Sequence, residues 1–581
     1  MKNSKNLDNL RHSCAHLLAA AVMKLWPDTK RTIGPAIADG FYFDFEFKKP
    51  ISDDDLPKIE KEMSEIVKSW NGFEKHELDA KEAKKEYPDN PYKHELIDEF
   101  SEDGKKKVSF YKSGDYWDLC AGGHIENPNS ELKHFKLLSI AGAYWRGDEK
   151  NKMLTRIYGT VFPTQEELNN YLTMREEAKK RDHRKLGKEL DLFTFSDLVG
   201  SGLPLYTPKG ALLRRLLNEY LDEMQSKEGY QQVWTPQLAK GELFKKSGHY
   251  DKYHEDMFIV KSHYSDEEMF LKPMNCPQHT QIYTSKPRSY RDLPIRYTDF
   301  AMLYRDERPG QLNGLARVRA FSQDDCHVFC REDQVDEEID RMLVMTKKVM
   351  ATFGFKYKYR LSTRDPNHPE KYLGNLKTWE KVEKWAETIM KRHNIDYFPG
   401  PGEATFYAPK MDLIATDAIG RQWQLSTVQI DFVQPSRFEL KYIDKDGKEK
   451  TPVMIHRAIL GSTERLLMIL LEHYSGAFPF WLSPVQVKII PISERHNEFA
   501  ENLKHQLEKV GIRAEVNEKS ESMQKKIREA QQEKAYYMLV VGDKEMGSGE
   551  VSVRTRDGKT RNMKLDEFIN ESKEKISKRL P

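Results

Sequence analysis

The amino-acid sequence predicts a multidomain α+β protein that ends in a smaller α/β domain. At 581 residues, the chain is long enough for several domains of roughly 100 to 200 residues each. Its centre combines apolar strands with amphipathic helices, whereas strands and helices alternate regularly near the C-terminus. From these changes we predict a first domain at 1–163, a helical linker at 164–190, a large domain at 191–482 and a last domain at 483–581.

Composition narrows the class of protein. Lys and Arg number 94 against 92 Asp and Glu, so the formal charge of +2 gives no general attraction to nucleic acid. The five cysteines lack the spacing of a disulfide framework and fit a reducing compartment. No apolar run reaches the roughly 18 residues of a membrane span, and the polar start lacks a signal-peptide core. We therefore expect a cytoplasmic protein without a membrane partner.

The first domain contains two pairs of candidate metal ligands. A helix predicted over 7–25 carries His12 and His16 four residues apart, which puts both side chains on one face. Cys120 and His124 form a second pair with the same spacing. Spacing alone therefore predicts a plausible four-ligand site.

Two connecting elements indicate how domains and subunits meet. A charged helix predicted over 165–190 has a basic centre at 179–185, and it is either an exposed connector or a surface that contacts RNA. A capped amphipathic helix over 207–229 then leads into a strand that ends at Pro236. Because proline lacks a ladder donor, this strand belongs at an edge or interface and is a candidate dimer contact.

Three residues far apart in the chain, Cys276, His327 and His456, each lie in an apolar stretch predicted as a strand. Taken alone, each would more often be a core residue. A catalytic zinc site, however, typically combines such ligands and keeps a further position open for water or substrate. Since residues suited to holding a nucleotide flank all of them, we predict an open zinc site inside an ATP-binding pocket.

Alternation along the middle strand sharpens this prediction. Side chains two residues apart share a face, so Gln323 and Asp325 point the same way as His327. Cys326 points to the opposite face. A local metal site built from Cys326, His327 and Cys330 fits by composition, but it would need ligands from both faces of one strand. We therefore rank it below the long-range trio.

A phosphate-binding region is predicted beside the trio. Arg305 and Glu307 end a predicted strand, and we expect 313–319 to return as its partner strand. A planar guanidinium suits bidentate contact with phosphate. Small residues at 458–465 open a helix with Arg465 in its first turn, which is a second phosphate clamp. The sequence has no GxxxxGK[ST] motif, which excludes a P-loop, and exposed salt bridges remain the alternative interpretation.

The last domain alternates strands near 485–491, 513–516 and 537–541 with helices, one of them over 497–510. This βαβ order predicts a mostly parallel sheet.

Several motifs together resemble the class II aminoacyl-tRNA synthetases. The helix and strand that end at Pro236 resemble their first signature motif, and the segments around Arg305 and Arg465 resemble the second and third. Longer motifs narrow the resemblance to bacterial threonyl-tRNA synthetases over essentially the whole chain, and these motifs are 272–277, 317–327, 453–462 and the N-terminal His and Cys pairs. The resemblance implies an antiparallel-sheet catalytic domain at 191–482, an editing domain at 1–163 and an anticodon-binding domain at 483–581.

The resemblance also implies roles for residues of the synthetic site. One Zn²⁺ per subunit, held by Cys276, His327 and His456, would take the amino and hydroxyl groups of L-threonine. Arg305 would contact the α-phosphate of ATP, and Arg465 the γ-phosphate with Mg²⁺. The other expected catalytic or substrate-binding residues are Glu307, Lys410, His249, Asp325, Gln323, Tyr407, Gln424, Thr427, Gln429 and Arg317.

A hydroxyl-binding site should reject valine strongly, but serine lacks only a methyl group, worth about 1–3 kcal/mol. A second, hydrolytic site must then remove serine. The resemblance assigns this editing of seryl-tRNA to His12, His16, Cys120, His124, Lys93 and Asp118, and whether these residues bind a metal stays open.

The expected partners are tRNA(Thr), ATP, L-threonine and a second subunit in a homodimer. Glu545 and Arg554 match anticodon-binding positions, whereas 518–524 departs from the usual run, so contacts there cannot be transferred. We also expect the chain to lack the ubiquitin-like N-terminal domain common in bacterial relatives.

Two rival hypotheses remain. A non-catalytic RNA-binding paralogue would typically have lost a phosphate arginine or a zinc ligand, and all of these are present. An editing-only aminoacyl-tRNA hydrolase would leave the large central domain without a function.

Overall fold

The structure, a computed structural model, describes residues 2–102 and 107–580. It contains two compact units, 1–177 and 178–581. Within the described residues, no helix combines the length and the apolar character that crossing a bilayer requires.

The N-terminal unit is an α+β structure with two antiparallel sheets. Its first helix, Lys2–Leu25, begins earlier than residue 7 and packs against a five-stranded sheet. The sheet strands are Lys30–Arg31, Ala36–Ile37, Gly40–Glu46, His134–Tyr144 and Met153–Phe162. The second sheet consists of Glu74–Asp79, Lys107–Ser113 and Tyr116–Leu119. The remaining α-helices before residue 165 are Leu56–Ile66, Ala80–Lys85, Pro91–Glu102 and Pro128–Glu131.

The prediction of a single helix over 165–190 is wrong, because the structure has two helices there, Gln165–Lys180 and His183–Glu189. Asp182 interrupts them with a non-helical backbone, and its carboxylate accepts the backbone N–H of Arg184. An aspartate in this N-cap position satisfies a donor that a new helix start leaves free.

An eight-stranded sheet forms the centre of the second unit. In spatial order its strands are Gln231–Gln232, Ile295–Tyr304, Ala320–Cys330, Val453–Ala458, Gln422–Asp431, Lys410–Thr416, Lys356–Thr363 and Tyr397–Pro401. The inner pairs are antiparallel and only the pair at each edge is parallel. The register places His327 opposite His456, and His456 opposite Gln429 on its other side.

Helices cover this sheet, and the longest, Pro208–Lys227, begins where the sequence predicts, with Thr207 as its N-cap. The other α-helices up to residue 473 are Gly241–Ser247, His249–Tyr253, Cys276–Thr284, Val335–Phe353, Leu376–Arg392, Val433–Arg437 and Thr463–His473. Short strand pairs complete the region, namely Phe193–Thr194 with Leu205–Tyr206, Leu238–Lys240 and Ile259–Val260 with Met269–Leu271, and Tyr442–Ile443 with Glu449–Lys450.

Two local predictions in this region are wrong. Cys276 is the first residue of a helix and not part of a strand, since Pro277 follows it and proline is favoured in a first helical turn. The partner of Ile295–Tyr304 begins at Ala320, and 313–319 forms a tight loop in which Asn313 and Arg317 bond to each other through their backbones.

The C-terminal sheet has the order Ala514–Val516, Val487–Pro491, Tyr537–Val541, Glu550–Thr555 and Thr560–Lys564. Only the first three strands are parallel, so the predicted mostly parallel sheet is instead mixed. The last two strands form a hairpin whose turn contains Gly558 at a φ of 85°. The helices of this region are Asn497–Lys509, Met523–Gln532, Asp543–Ser548 and Leu565–Ser577.

The start of the helix Pro208–Lys227 makes a testable close contact. A Cβ at Gly210 would overlap the backbone carbonyl of Leu192, which cannot move without its loop. We expect Gly210→Ala to cost about 1–3 kcal/mol through overpacking and to lower Tm by a few degrees in scanning calorimetry. Gly547→Ala, in a helix with open space at its Cβ, is the control and should not lower Tm. Equal Tm values for the two variants would contradict the close packing.

Candidate functional site

The structure brings Cys276, His327 and His456 together beside the central sheet. Their potential ligand atoms all lie within 4.8 Å of one another, and all three residues are buried. The sheet register sets the two imidazoles side by side, with His327 Nε2 at 3.0 Å from His456 Nδ1. One thiol and two imidazoles that face a cavity form the donor set of a zinc site with an open position.

Two further residues hold the imidazoles in place. His279 Nδ1 lies 2.8 Å from Nδ1 of His327, and the carboxylate of Asp431 accepts a hydrogen bond from Nε2 of His456 at 2.8 Å. Such partners fix the orientation and tautomer of a metal-binding histidine. The sequence prediction missed both, although helical spacing from Cys276 could have indicated His279.

A cavity of about 230 Å³ opens in front of the trio. Eight of the other predicted residues line it, and these are Arg305, Gln323, Asp325, Tyr407, Lys410, Gln424, Thr427 and Gln429. The alternation predicted along Ala320–Cys330 is confirmed, because Gln323, Asp325 and His327 line the cavity while Cys326 lies in the core cluster behind the sheet.

Polar atoms in this cavity are left for a ligand. Thr427 Oγ1 and Gln429 Oε1 are buried and have no hydrogen-bond partner among the described residues. Burying such an atom without a partner costs about 1–3 kcal/mol. The cavity therefore suits a small polar molecule with hydrogen-bond donors.

The carboxylate of Asp412 organises one wall of the cavity. It accepts hydrogen bonds from Gln424 at 2.9 Å and from Arg360 at 3.0 Å, and it lies 3.3 Å from the Lys410 ammonium. Arg360 also donates to the Gln424 amide oxygen at 3.0 Å, which fixes the orientation of that amide. Asp412 and Arg360 were missed from sequence, although Asp412 shares a strand face with Lys410.

Asp325 and His249, which lie near the trio, have shifted pKa values. Burial, together with the nearby carboxylates of Asp299 and Asp324, raises the pKa of Asp325 to about 8. A positive charge in the cavity would favour the ionised form, so Asp325 is suited to a cationic ligand. Burial lowers the pKa of His249 to about 3, and its Nε2 lies 3.0 Å from the Met274 sulfur.

Arginines converge beside the cavity. Arg317 pairs with Glu307 at 2.7 Å, and Arg465 Nε donates to the carbonyl of Ala316 at 3.2 Å. Burial lowers the pKa of Arg465, and the like charges of Arg305 and Arg317 lower it further. The three arginines therefore lie close together, and the carboxylate of Glu307 does not balance their combined charge. Such an arrangement is typical of an anion-binding site.

The N-terminal unit contains a second cluster, formed by His12, His16, Cys120 and His124. The Cys120 sulfur lies 3.0 Å from His12 Nε2 and 3.3 Å from His124 Nε2. Burial raises the pKa of Cys120 to about 11, and burial lowers the pKa of His124 to about 3. At neutral pH the Cys120 thiol and the His124 imidazole of this cluster are therefore both uncharged.

Asp118 lies at the centre of a buried ionic network next to this cluster. Its carboxylate is 2.8 Å from the Lys93 ammonium and 3.2 Å from the Arg31 guanidinium, and it accepts hydrogen bonds from Tyr87 and Tyr116. Burial alone would raise the pKa of Asp118, but Lys93 and Arg31 hold it below its ordinary value. Arg31 and the two tyrosines were not predicted, because their contact with Asp118 depends on the tertiary fold.

The two predicted anticodon residues lie in neighbouring elements. The Glu545 carboxylate accepts the N–H of Gly542 at 2.9 Å and caps its own helix Asp543–Ser548. Arg554 lies in the strand Glu550–Thr555. A cleft of about 750 Å³ in the same region includes neither of them among its described lining residues.

Comparison with known proteins agrees with this architecture. Residues 258–474 match the family described as tRNA synthetase class II core domain (G, H, P, S and T), and 486–575 match an anticodon binding domain. Residues 108–158 match the threonyl and alanyl tRNA synthetase second additional domain. A solved Giardia lamblia prolyl-tRNA synthetase shares the fold with a TM-score of 0.55 at 18% identity, covering 70% of this chain and 81% of that one.

The sheet and its matched domains define a class II aminoacyl-tRNA synthetase. A threonine--tRNA ligase of Rubrobacter xylanophilus is 49% identical over 94% of this chain and 85% of its own length, and that of Gloeobacter violaceus is 48% identical over 99% and 93%. The solved RNA binding domain of threonyl-tRNA synthetase from Cryptosporidium parvum matches with a TM-score of 0.65 at 38% identity, covering 68% of this chain and 98% of that one. The chain belongs to the threonine--tRNA ligase family.

The buried network around Asp118 predicts a large effect on stability. Asp118→Asn removes the charge that compensates Lys93 and Arg31, and breaking a buried ion pair costs about 3–5 kcal/mol. We expect the N-terminal unit to unfold at a lower temperature, measured by hydrogen exchange of its peptides during heating. Asp115→Asn, on the exposed turn of the same hairpin, is the control. Unchanged exchange in Asp118→Asn would show that the network does not depend on this carboxylate.

Proposed function

We propose that this chain activates L-threonine with ATP, transfers it to tRNA(Thr) and hydrolyses Ser-tRNA(Thr) at a second site. The observation that carries the first activity is a single cavity that combines the Cys276, His327 and His456 trio with Arg305. Membership in the threonine--tRNA ligase family supports it. The complete arginine set argues against a non-catalytic paralogue, and an editing-only hydrolase would leave this cavity without a ligand.

The trio fits one Zn²⁺. Its donor set is appropriate, His279 and Asp431 hold the two rings, and Thr427 and Gln429 supply unpartnered polar atoms at the same cavity. When bound, zinc would supply a Lewis acid that takes the amino and hydroxyl groups of threonine in its open position.

Selection of the amino acid then follows from the cavity wall. Asp325 is buried, and an ammonium group would favour its carboxylate form. Valine lacks the hydroxyl and would leave the groups that bind it without a partner. A hydrogen-bonding site therefore rejects valine strongly. Serine keeps both polar groups and loses only a methyl, worth about 1–3 kcal/mol, so it should also be activated.

Activation requires attack on ATP. A carboxylate oxygen of threonine forms a bond to the α-phosphorus while the bond to the bridging oxygen breaks, and pyrophosphate leaves with that electron pair. Arg305 would contact the α-phosphate, and Arg465 would contact the γ-phosphate. Their positive charges would stabilise the negative charge that develops on the phosphate oxygens during the attack. Mg²⁺ bound with ATP would add further positive charge, while Glu307 holds Arg317 in position.

Other residues of the cavity would orient the reactants. Lys410 and Gln424, both fixed by Asp412, are assigned to the substrate and nucleotide. Gln323 and Tyr407 line the same cavity and would contact the amino acid. We assign His249, a buried neutral imidazole beside Cys276, to positioning the terminal tRNA ribose during transfer.

Correction of serine errors is assigned to the N-terminal cluster. The neutral imidazoles and the thiol of His12, His16, Cys120 and His124 can orient a seryl ester and a water molecule, and the fixed Lys93 and Asp118 pair would stabilise the developing charge.

The remaining assignments concern partners and location. Glu545 and Arg554 would contact the anticodon of tRNA(Thr). Trp234 is 74% exposed and Leu238 38% exposed on either side of Pro236, and covering such apolar side chains in a homodimer would stabilise both subunits. We place the activity in the cytoplasm.

The first activity is tested by threonine-dependent exchange of pyrophosphate into ATP. We expect rapid exchange with threonine, weaker exchange with serine and none with valine, because only valine lacks the hydroxyl. Metal analysis should give one zinc per chain, lost together with exchange on chelation. No exchange with any amino acid would overturn the proposed synthetase activity.

The two-site arrangement is tested by Cys276→Ser and Cys120→Ala. The first variant should lose zinc and threonine activation while it still hydrolyses Ser-tRNA(Thr). The second should activate threonine normally but accumulate Ser-tRNA(Thr), since the thiol lies within contact distance of His12 and His124. Cys14→Ala, a buried cysteine in the core of the same unit, is the control for Cys120→Ala. Parallel loss of both activities in either cysteine variant would contradict separate sites.

A further inference from the structure

A third group of potential metal ligands, Asp182, His183 and Glu472, lies outside both sites described above. The ligand atoms of the two buried members are already engaged. His183 Nδ1 is 2.7 Å from Glu472 Oε1, and the other carboxylate oxygen, Oε2, pairs with Arg421. A metal would have to displace these contacts, so the group is better described as a hydrogen-bond relay.

The direction of the relay is fixed at His183. Its Nε2 accepts a hydrogen bond from the backbone N–H of Leu315 at 3.0 Å. A backbone N–H can only donate, so in the neutral ring Nε2 carries no proton and Nδ1–H donates to Glu472. His183 therefore links an acidic side chain on the helix Thr463–His473 to one amide of the loop 313–317.

The backbone of the loop 313–317 is tightly constrained in its position. Leu315 is fully buried, and a Cβ at Gly314 would overlap His183 Nε2, so only glycine allows the loop to pass this close to the imidazole. The next residue, Ala316, accepts the hydrogen bond from Arg465, and Arg317 pairs with Glu307. The hydrogen bond that anchors Leu315 thus lies immediately before the Ala316–Arg465 and Arg317–Glu307 contacts, which orient the two arginines.

We propose that His183 is a positioning residue for the nucleotide site, which holds the loop 313–317 through Leu315 so that Arg317 and Arg465 converge on the phosphates of ATP. The proposal rests on the proposed function for the identity of the ligand, but the anchoring of the loop is independent of it. Without the anchor, Leu315 N–H is a buried donor without a partner, and the loop must move to satisfy it.

Two substitutions separate the two hydrogen bonds of the imidazole. In His183→Asn the amide takes the place of Nδ1, so the bond to Glu472 is kept and the bond to Leu315 is lost. In His183→Gln the amide oxygen takes the place of Nε2, so Leu315 keeps an acceptor. Glu472 retains Arg421 and the backbone N–H of His183 in both variants. Their thermal stabilities are measured in parallel, so that a general loss of folding is seen directly.

The first readout is kinetic. In threonine-dependent pyrophosphate exchange, His183→Asn should raise KM for ATP about tenfold, the order of effect of one unsatisfied buried donor. His183→Gln should stay within about threefold of wild type for ATP, and KM for threonine should change little in either variant. Equal increases in both variants, or an increase in KM for threonine instead, would overturn the proposal and leave His183 a purely structural residue.

The second readout does not depend on catalysis. Hydrogen exchange of a peptide that contains Leu315 should be faster in His183→Asn than in His183→Gln, with no ATP present. Unchanged exchange in His183→Asn would refute the anchor even if the enzyme is fully active. If His183→Asn speeds hydrogen exchange at Leu315 but the wild-type protein shows no pyrophosphate exchange, the result would support the anchor and reject only the proposed function.

Discussion

The register between three antiparallel strands is the constraint on which the site depends. Because His327 lies directly opposite His456, and His456 opposite Gln429, the three side chains share one face of the sheet at neighbouring positions. A slip of one residue in either pairing would move His327, His456 or Gln429 to the opposite face of the sheet, which packs against the core. The buried apolar cluster on the other face, which includes Cys326, makes such a slip costly. The same hydrophobic packing that stabilises the sheet therefore sets the geometry of the ligands.

Charge in the second unit is arranged in two different ways. Around the cavity in front of the trio, carboxylates such as Asp412 and Asp431 each hold a neighbouring polar side chain in a single orientation. Beside that cavity, Arg305, Arg317 and Arg465 are kept close together without full compensation of their charge. The first arrangement makes the wall rigid, and the second leaves positive charge free to act on a ligand. Both depend on strands and helices that are far apart in sequence.

Much of the site follows from sequence because strand alternation is a local property. The common face of Gln323, Asp325 and His327 needs only the period of two. What the sequence could not supply is which elements become neighbours. His279 and Asp412 gain their roles from partners on other elements, and the break at Asp182 required knowing that a capping side chain, and not helix propensity, decides the backbone there. Cys276 was assigned to the wrong element, yet it occupies the expected position, since ligand chemistry does not depend on the type of element.

The unpartnered polar atoms of the cavity in front of the trio have an evolutionary consequence. Thr427 Oγ1 and Gln429 Oε1 have no protein partner among the described residues, and the neighbouring arginines repel one another, so neither feature contributes to the stability of the fold. Random substitution of these positions by apolar or neutral residues would therefore tend to stabilise the fold while destroying the site. A gene copy released from selection for catalysis should therefore accumulate substitutions at these positions first.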